Sequence, residues 1–124
     1  MSTTFILGAS KGIGWALTQQ ALAAGERVIA TARDDAALAR LREAGAQVLR
    51  VDVADAASVS GLAWQLDGEK IDTAWHVAGV ICNRADATQP PPRDQFDQVM
   101  HANVLGAMQV IPQIAPLVEQ AGGR

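Results

Sequence analysis

The spacing of the apolar residues alternates between strand-like and helix-like stretches from the amino terminus to about Gly79. The strand-like runs are short and mostly apolar, and they lie at Thr3–Leu7, Arg27–Ala32, 47–53 and 72–80. Residues that cap or stop helices bound the stretches between these runs, namely Asp34, Asp55, Gly25 and Gly45. The chain is therefore predicted to consist of successive strand–helix units.

Strands that are separated by helices pair in parallel, because the chain crosses back over the sheet before it pairs again. The sequence therefore predicts an α/β fold, a Rossmann-type doubly wound parallel sheet with the strand order 3-2-1-4. Apolar residues at helical spacing are, in the first helix, Ile13, Ala16, Leu17, Ala21 and Ala24, in the second Leu38 and Leu41, and in the third Val59, Leu62, Ala63 and Leu66.

The three consecutive prolines from Pro90 predict an extended loop over residues 83–93, beyond the strand ends, where loops often contact ligands. The rest of the chain again shows helical spacing, with an interruption near Asn103. Pro112 and Pro116 lie in this last stretch, and a proline inside a helix costs up to about 3 kcal/mol. We therefore expect two helical pieces or a kinked helix.

The composition narrows the class of protein. The 124 residues are 49% hydrophobic and 19% charged, which predicts one globular domain over residues 1–124. A formal net charge of −3 offers no basic face to nucleic acid, and no apolar run approaches the ~20 residues that cross a bilayer. The amino terminus lacks the features of a secretion signal, and the single cysteine, Cys82, is expected to fill apolar space. We therefore predict a cytoplasmic protein with no nucleic-acid, membrane or metal partner.

A glycine-rich segment, Gly8-Ala9-Ser10-Lys11-Gly12-Ile13-Gly14, lies between the first strand and the first helix. Unpaired backbone N–H groups and the positive end of the helix meet at such a turn, so it predicts an anion-binding site. Glycine permits the tight turn and lets a diphosphate approach the backbone, and a side chain at Gly12 or Gly14 is expected to obstruct it. The spacing is GxxxGxG and differs from the GxGxxG of the common dinucleotide fingerprint.

This spacing resembles the cofactor turn TGxxxGxG of the short-chain dehydrogenase/reductase family, with Leu7 where Thr is usual. Asp52-Val53 resembles the family pair that holds the adenine ring, where Asp52 would accept from its amino group. Ala78-Gly79 resembles the last half of the family motif NNAG beside the ribose and nicotinamide, with His76 and Val77 in place of both asparagines. The resemblance implies a cofactor-binding set of Gly8, Ser10, Lys11, Gly12, Ile13, Gly14, Asp52, Val53, Ala78 and Gly79.

The choice of cofactor depends on residues about 20 positions after the glycines, where an acid binds the ribose 2′-OH and an Arg accepts a 2′-phosphate. The second strand ends with Thr31 and Ala32, and Arg33 is the first residue after it. Lys11 matches a basic position typical of NADP-binding members of the family. The sequence thus predicts NADP over NAD, since two cations can flank one phosphate. In the alternative interpretation, Lys11 and Arg33 are solvated surface charges and Asp34 only caps a helix.

Hydride transfer to or from a carbonyl needs a proton donor or acceptor, which the family supplies through Ser, Tyr and Lys in a YxxxK arrangement. This sequence contains no Tyr. Of the family's catalytic set only Asn103 is carried over, in an NxxG segment whose Asn kinks the helix and supports a proton-relay water. We interpret His76 as a hydrogen-bonded structural imidazole and His101 as a surface residue, although either could be imagined as a substitute acid.

We therefore expect the amino-terminal, NAD(P)-binding half of a longer NADP-dependent oxidoreductase, which acts on a carbonyl or secondary alcohol and is truncated before its fifth strand. The main alternative is a non-catalytic dinucleotide-binding module or truncated gene product. A third candidate function, that of a methyltransferase with a similar sheet, has less support from the sequence, because Lys11 and Arg33 suit a phosphate. The fourth strand has the composition of a central strand and the last helix is strongly apolar, so a homo-oligomer is also predicted.

Overall fold

A computed structural model describes residues 1–81 and 88–124 and contains a parallel sheet with the strand order β3-β2-β1-β4. In β1, Phe5 lies opposite Ile29 of β2 on one side and Ala74 of β4 on the other. The strands are β1 (Thr3–Leu7), β2 (Arg27–Ala32), β3 (Gln47–Arg50) and β4 (Thr73–His76). The predicted Rossmann-type fold and its strand order are confirmed.

The strands β3 and β4 are shorter than the predicted 47–53 and 72–80, although their apolar runs continue. The amide of Val51 makes a last bond to the carbonyl of Ala32 at 3.1 Å, and Val77 bonds the carbonyl of Leu7 at 2.9 Å. Ala32 and Leu7 are the final residues of the neighbouring strands. The ladder therefore stops where the partner strand ends, and not where the apolar run ends.

The helices flank the sheet on both faces. They are α1 (Gly12–Ala23), α2 (Asp35–Ala44), α3 (Ala56–Ser60), α4 (Leu62–Gln65), α5 (Arg93–Met100) and α6 (Gly106–Gln120). The predicted caps form, because Asp34 accepts from the amide of Ala37 at 2.8 Å and Asp55 accepts from that of Ala57 at 3.0 Å. The third predicted helix is divided into α3 and α4 at Gly61, the residue in it with the weakest helix propensity.

Alternate residues of β1 supply two separate cores. Phe5 and Leu7 face the side covered by α3, α4 and α6, whereas Ile6 faces the side covered by α1 and α2. The expected stripe on α1 needs correction, because Ile13 is 71% exposed and Ala16 is also exposed. The fully buried residues of α1 are Gly14 and Thr18, and Leu17 and Ala21 of the expected stripe are partly buried against the same core. The other buried core residues on the α1 and α2 side are Ala9, Val28, Ala30, Ala32, Leu38, Leu41 and Ala46.

The interruption predicted near Asn103 is present, but it is a π-helical turn at His101–Leu105 that joins α5 directly to α6. Pro112 and Pro116 both lie inside α6 and are exposed, so water can reach the carbonyls that a proline cannot bond. Of the predicted loop at 83–93, residues 88–92 are outside helices and strands, and α5 begins at Arg93. The remainder of that loop prediction, and the prediction for Cys82, lie outside the described residues.

One edge of the sheet is formed by β4, which the sequence analysis expected to be central. The amide of Arg124 donates to the carbonyl of Asp72 at 2.9 Å, and the amide of Ala74 donates to the carbonyl of Arg124 at 2.8 Å. This is the bonding pattern of one residue in a parallel ladder, so the outer side of β4 is paired at this point. No helix among the described residues has both the length and the apolar character needed to span a membrane.

Candidate functional site

The turn after β1 is anchored to the end of β2 by Thr31. The Thr31 hydroxyl accepts from the amide of Gly8 at 3.0 Å, and the Thr31 carbonyl accepts from the amide of Ala9 at 2.9 Å. Thr31 is almost fully buried, at 1% exposure, so both bonds are shielded from water. The site therefore begins from a rigid backbone turn.

Two of the three glycines are required by close packing. At Gly8, where φ is +93°, a Cβ would lie 2.6 Å from the Cα of Ala78, so only glycine lets β1 and the segment after β4 approach this closely. At Gly14, a Cβ would lie 1.9 Å from the carbonyl oxygen of Gly8. The close packing at Gly14 is thus between α1 and its own turn, and the obstruction of a diphosphate expected there stays a prediction.

Gly12 differs from these two, because a Cβ there would meet no described atom within 4 Å. It has a φ of +57°, in the left-handed region that favours glycine, and it opens α1. No side chain of a described residue caps this end of α1, in contrast to the ends of α2 and α3, and Lys11 occupies the N-cap position. A cation at the positive end of a helix is unfavourable unless an anion lies beside it, so these features are compatible with the predicted anion-binding site.

A cleft of about 270 Å³ opens over this turn, at the carboxyl ends of β1, β2 and β4. The predicted cofactor residues that line it are Gly8, Ser10, Lys11, Gly12, Ile13, Arg33, Val53, Ala78 and Gly79. Gly14 and Asp52 do not line it. The strand order predicted from sequence thus brings together residues that are up to 71 positions apart in the chain, from Gly8 to Gly79.

Asp52 lies just outside the cleft, in the tight turn after β3. Its Oδ1 accepts from the amide of Ala54 at 3.0 Å, and its own amide donates to the hydroxyl of Ser58 at 2.9 Å. These bonds fix the turn that presents the neighbouring Val53 to the cleft. The adenine contact assigned to Asp52 from the resemblance stays a prediction.

Asn103 lies in the π-helical turn, and its side chain bonds the backbone segment after β4 that lines one end of the cleft. Its Oδ1 accepts from the amide of Val80 at 2.7 Å, and its Nδ2 donates to the carbonyl of Val80 at 2.7 Å. A Cβ at Gly79 would lie 3.1 Å from the same Oδ1, so a glycine at this position leaves space for the side-chain amide of Asn103. At Gly106, a Cβ would lie 3.1 Å from Val53, so the Asn and the Gly of the NxxG segment both pack against residues that line the cleft.

A second recess of about 350 Å³ adjoins the cleft and shares Ser10, Lys11 and Arg33 with it. It is also lined by Asp34 and Arg40 from the first turns of α2. The Asp34 carboxylate already accepts a bond from the helix backbone, and the adjacent Asp35 is ion-paired with Arg50. The recess therefore has an excess of positive charge.

The two histidines lie away from the cleft lining. His76, on β4, faces the groove beside α6, and neither of its ring nitrogens has a hydrogen-bond partner among the described residues. The expectation of a hydrogen-bonded imidazole is therefore wrong for this part of the chain. Burial lowers the pKa of His76, which favours its neutral form. His101 is exposed in the π-helical turn, as expected for a surface residue.

Two residues of this region, Thr31 and Arg40, are not predicted from the sequence. Thr31 was considered only as the end of a strand, although a hydroxyl in an otherwise apolar run is a signal for a backbone contact. Arg40 is seven positions beyond Arg33, so its place in the recess depends on how α2 packs. Among the described residues, no group of three or more His, Cys, Asp and Glu side chains could hold a metal ion.

Comparison with known proteins gives a consistent result. A family model described as enoyl-(acyl carrier protein) reductase matches residues 8–124. The chain is 36% identical over 123 residues to a 1-hydroxy-2-glutathionyl-2-methyl-3-butene dehydrogenase of a Rhodococcus species, covering 97% of this chain and 53% of that protein.

Two solved structures resemble the fold closely. A short-chain dehydrogenase/reductase of Burkholderia multivorans with bound NADP has a TM-score of 0.79 and 28% identity, covering 94% of this chain and 53% of its own. The NADP active-site complex of RhlG from Pseudomonas aeruginosa has a TM-score of 0.78 and 28% identity, with coverages of 97% and 49%. The chain thus spans about half the length of these relatives.

Proposed function

The chain belongs to the short-chain dehydrogenase/reductase family, and we propose that it provides the NADP-binding part of an oxidoreductase that acts on a carbonyl or a secondary alcohol. When bound, the nicotinamide of such a cofactor supplies or accepts hydride. The residues of this chain bind and orient the dinucleotide. The observation that carries the proposal is the basic recess that adjoins the glycine turn.

The diphosphate is assigned to the open end of α1. Gly12 leaves space there, the helix amides have no side-chain cap among the described residues, and Lys11 adds a positive charge. These features fit an anion that is held by backbone N–H groups. The adenine is assigned to the wall that contains Val53, and the nicotinamide side to Ala78 and Gly79.

NADP is favoured over NAD by the residues at the end of β2. An NAD site usually has an acid at the end of the second strand that accepts from the ribose 2′-OH, but β2 ends with Thr31 and Ala32. Asp34 and Asp35 are used as the N-cap of α2 and the ion-pair partner of Arg50. Arg33 and Lys11 both line the recess, where the 2′-phosphate is assigned. The two NADP complexes among the similar structures support this choice.

Asn103 is proposed as a positioning residue of the reaction. Its two bonds to the backbone of Val80 hold the strand end at the nicotinamide side of the cleft. The sequence contains no Tyr, so the proposal assigns proton transfer to residues outside these 124. In the second candidate function, a non-catalytic dinucleotide-binding module, there is no such step, and the absence of Tyr from the sequence favours it.

The proposal also includes a cytoplasmic location, a small carbonyl or alcohol substrate, and self-association. A single cysteine permits no disulfide within the chain, as is usual for reducing compartments. Self-association is supported by the apolar side chains exposed along α5 and α6. These are Phe96, Met100, Met108 and Ile111.

Titration of the purified protein with NADPH and NADH tests the cofactor assignment. Arg33→Ala should weaken NADPH binding by ~1.5–3 kcal/mol, the range for hydrogen bonds to charged groups, and barely change NADH binding. Arg42→Ala removes an equally exposed charge outside the recess and should change neither. Equal losses for both cofactors would refute the assignment to NADP. Binding without turnover of a panel of carbonyls would favour the non-catalytic module.

A further inference from the structure

The basic recess contains a third cation, Arg40, that no family motif in the sequence indicates. Arg40 projects from the middle of α2 into the recess that Lys11 and Arg33 also line. Its position is fixed by tertiary packing, because it meets residues of the glycine turn and of α1. Both contacts involve elements that the sequence separates from Arg40 by more than 20 residues.

We propose that Arg40 is a specificity-determining residue that binds the 2′-phosphate of NADP together with Lys11 and Arg33. This inference rests on the proposed function and extends it to a residue on α2. Three cations and one carboxylate, that of Asp34, line the recess, and the adjacent Asp35 is ion-paired with Arg50, so the recess has an excess of positive charge. A phosphate with two negative charges is the ligand that balances this arrangement.

The guanidinium of Arg40 is held in place before any ligand arrives. Its Cζ lies 4.1 Å from the centre of the Trp15 ring, a stacked cation–π arrangement. Its Nη2 donates to the carbonyl of Ser10, in the glycine turn. A guanidinium has five N–H donors, so these two contacts orient its plane and leave donors for a phosphate. An exposed Arg that is already oriented loses less side-chain entropy on binding.

The same contacts suggest a competing role, in which Arg40 only braces the glycine turn through Ser10. The two roles predict different outcomes. If Arg40 only braces the turn, it supports the diphosphate site, which NADPH and NADH share, so its loss weakens the binding of both cofactors equally. A direct contact with the 2′-phosphate affects only ligands that carry that group.

The experiment compares Arg40→Gln, Arg40→Lys and Trp15→Leu with the control Arg42→Gln, which removes the same charge from the same helix outside the recess. Each protein is titrated with NADPH and NADH, and with 2′,5′-ADP and 5′-AMP as fragments with and without the 2′-phosphate. Arg40→Gln should raise the Kd for NADPH and 2′,5′-ADP about tenfold and change that for NADH less than about twofold. The Kd of Arg40→Lys for NADPH and 2′,5′-ADP should lie between those of the unaltered protein and Arg40→Gln, because an ammonium group keeps the charge but does not stack on Trp15 as a planar guanidinium does.

Trp15→Leu tests the pre-orientation separately, and it should raise the Kd for NADPH about threefold while NADH binding is kept. The difference between NADPH and NADH should also shrink as salt rises, more steeply in the unaltered protein than in Arg40→Gln. Far-UV circular dichroism checks that each variant is folded.

Several results would overturn the inference. Equal weakening of NADPH and NADH by Arg40→Gln would assign the residue to bracing alone. A loss of NADPH preference in Arg33→Ala with none in Arg40→Gln would reject Arg40 and leave the NADP function standing. If the unaltered protein binds neither NADPH nor 2′,5′-ADP, the proposed function fails and this inference fails with it.

Discussion

Replacing Gly14 by Ala would place a methyl group where the carbonyl oxygen of Gly8 already lies. The new Cβ would be 1.9 Å from that oxygen, 2.9 Å from the Gly8 carbonyl carbon and 3.0 Å from the Cα of Ala9. Ordinary contacts begin near 3.4 Å, so α1 or the turn must move by about 1.5 Å. All three obstructing atoms belong to the backbone and cannot rotate away.

The expected cost of this movement is large. Extra methyl groups in packed interiors cost typically 1–3 kcal/mol, and we expect about 3 kcal/mol or more here, because the shift would also disturb the fully buried Thr18. The hydroxyl of Thr18 donates to the carbonyl of Gly14 at 2.8 Å, so the two residues move together. With a urea dependence of about 1–3 kcal/mol per molar, the unfolding midpoint should fall by roughly 1–3 M.

Urea unfolding followed by far-UV circular dichroism measures this effect, and two other glycines supply matched controls. Gly61→Ala meets only Gln65 Nε2 at 3.8 Å and has no positive φ, so it should be neutral or stabilise by up to about 1 kcal/mol. Gly12→Ala meets nothing within 4 Å but has a φ of +57°, so it should cost about 1–2 kcal/mol. A Gly14→Ala protein that is at least as stable as Gly12→Ala would contradict the predicted clash with the backbone of the turn.

Two further predictions concern the cleft end and the sheet edge. Asn103→Ala should destabilise the fold by about 1–2 kcal/mol in the same urea assay and weaken NADPH binding, because both bonds to the backbone of Val80 are lost; unchanged stability and affinity would contradict this. Burial lowers the pKa of His76, so the unfolded chain takes up its proton first and stability should decline as pH falls below about 6.5. His76→Leu should flatten that decline and His101→Gln should not; Glu119 is the charged residue that lines the same groove as His76. The measurement is the free energy of unfolding at pH 5, 6 and 7, and an equal dependence on pH in all three proteins would refute the prediction.

The parts of the fold that depend on local chemistry could be predicted from the sequence. The bounds of β1 and β2 agree with the apolar runs, and Asp34 and Asp55 cap their helices as expected. The ends of β3 and β4 could not be predicted, because the length of the neighbouring strand decides where pairing stops. The break at Gly61 was missed because the apolar stripe continues across it.

For the candidate site, the sequence and the structure agree on which residues lie together where a motif and a strand end coincide. Lys11 and Arg33 were expected to meet, and they share both the cleft and the adjoining recess. Arg40 was not found, since its position depends on the rotation of α2 and on Trp15 from another helix. The packing role of Gly14 could not be predicted, because the close approach of two backbone segments leaves no pattern in the sequence.

The π-helical turn at His101–Leu105 adds one residue to the helical segment that joins α5 to α6. Its hydrogen bonds run from residue i to i+5, so it accommodates one residue more than an α-helical path. Each α-helical residue rotates the chain by about 100°. The π-helical turn absorbs this rotation, so deleting one residue from it would restore regular geometry and keep Val110 and Ile114 facing the sheet. The turn therefore keeps the last helix in the rotational phase that an α-helical segment one residue shorter would have.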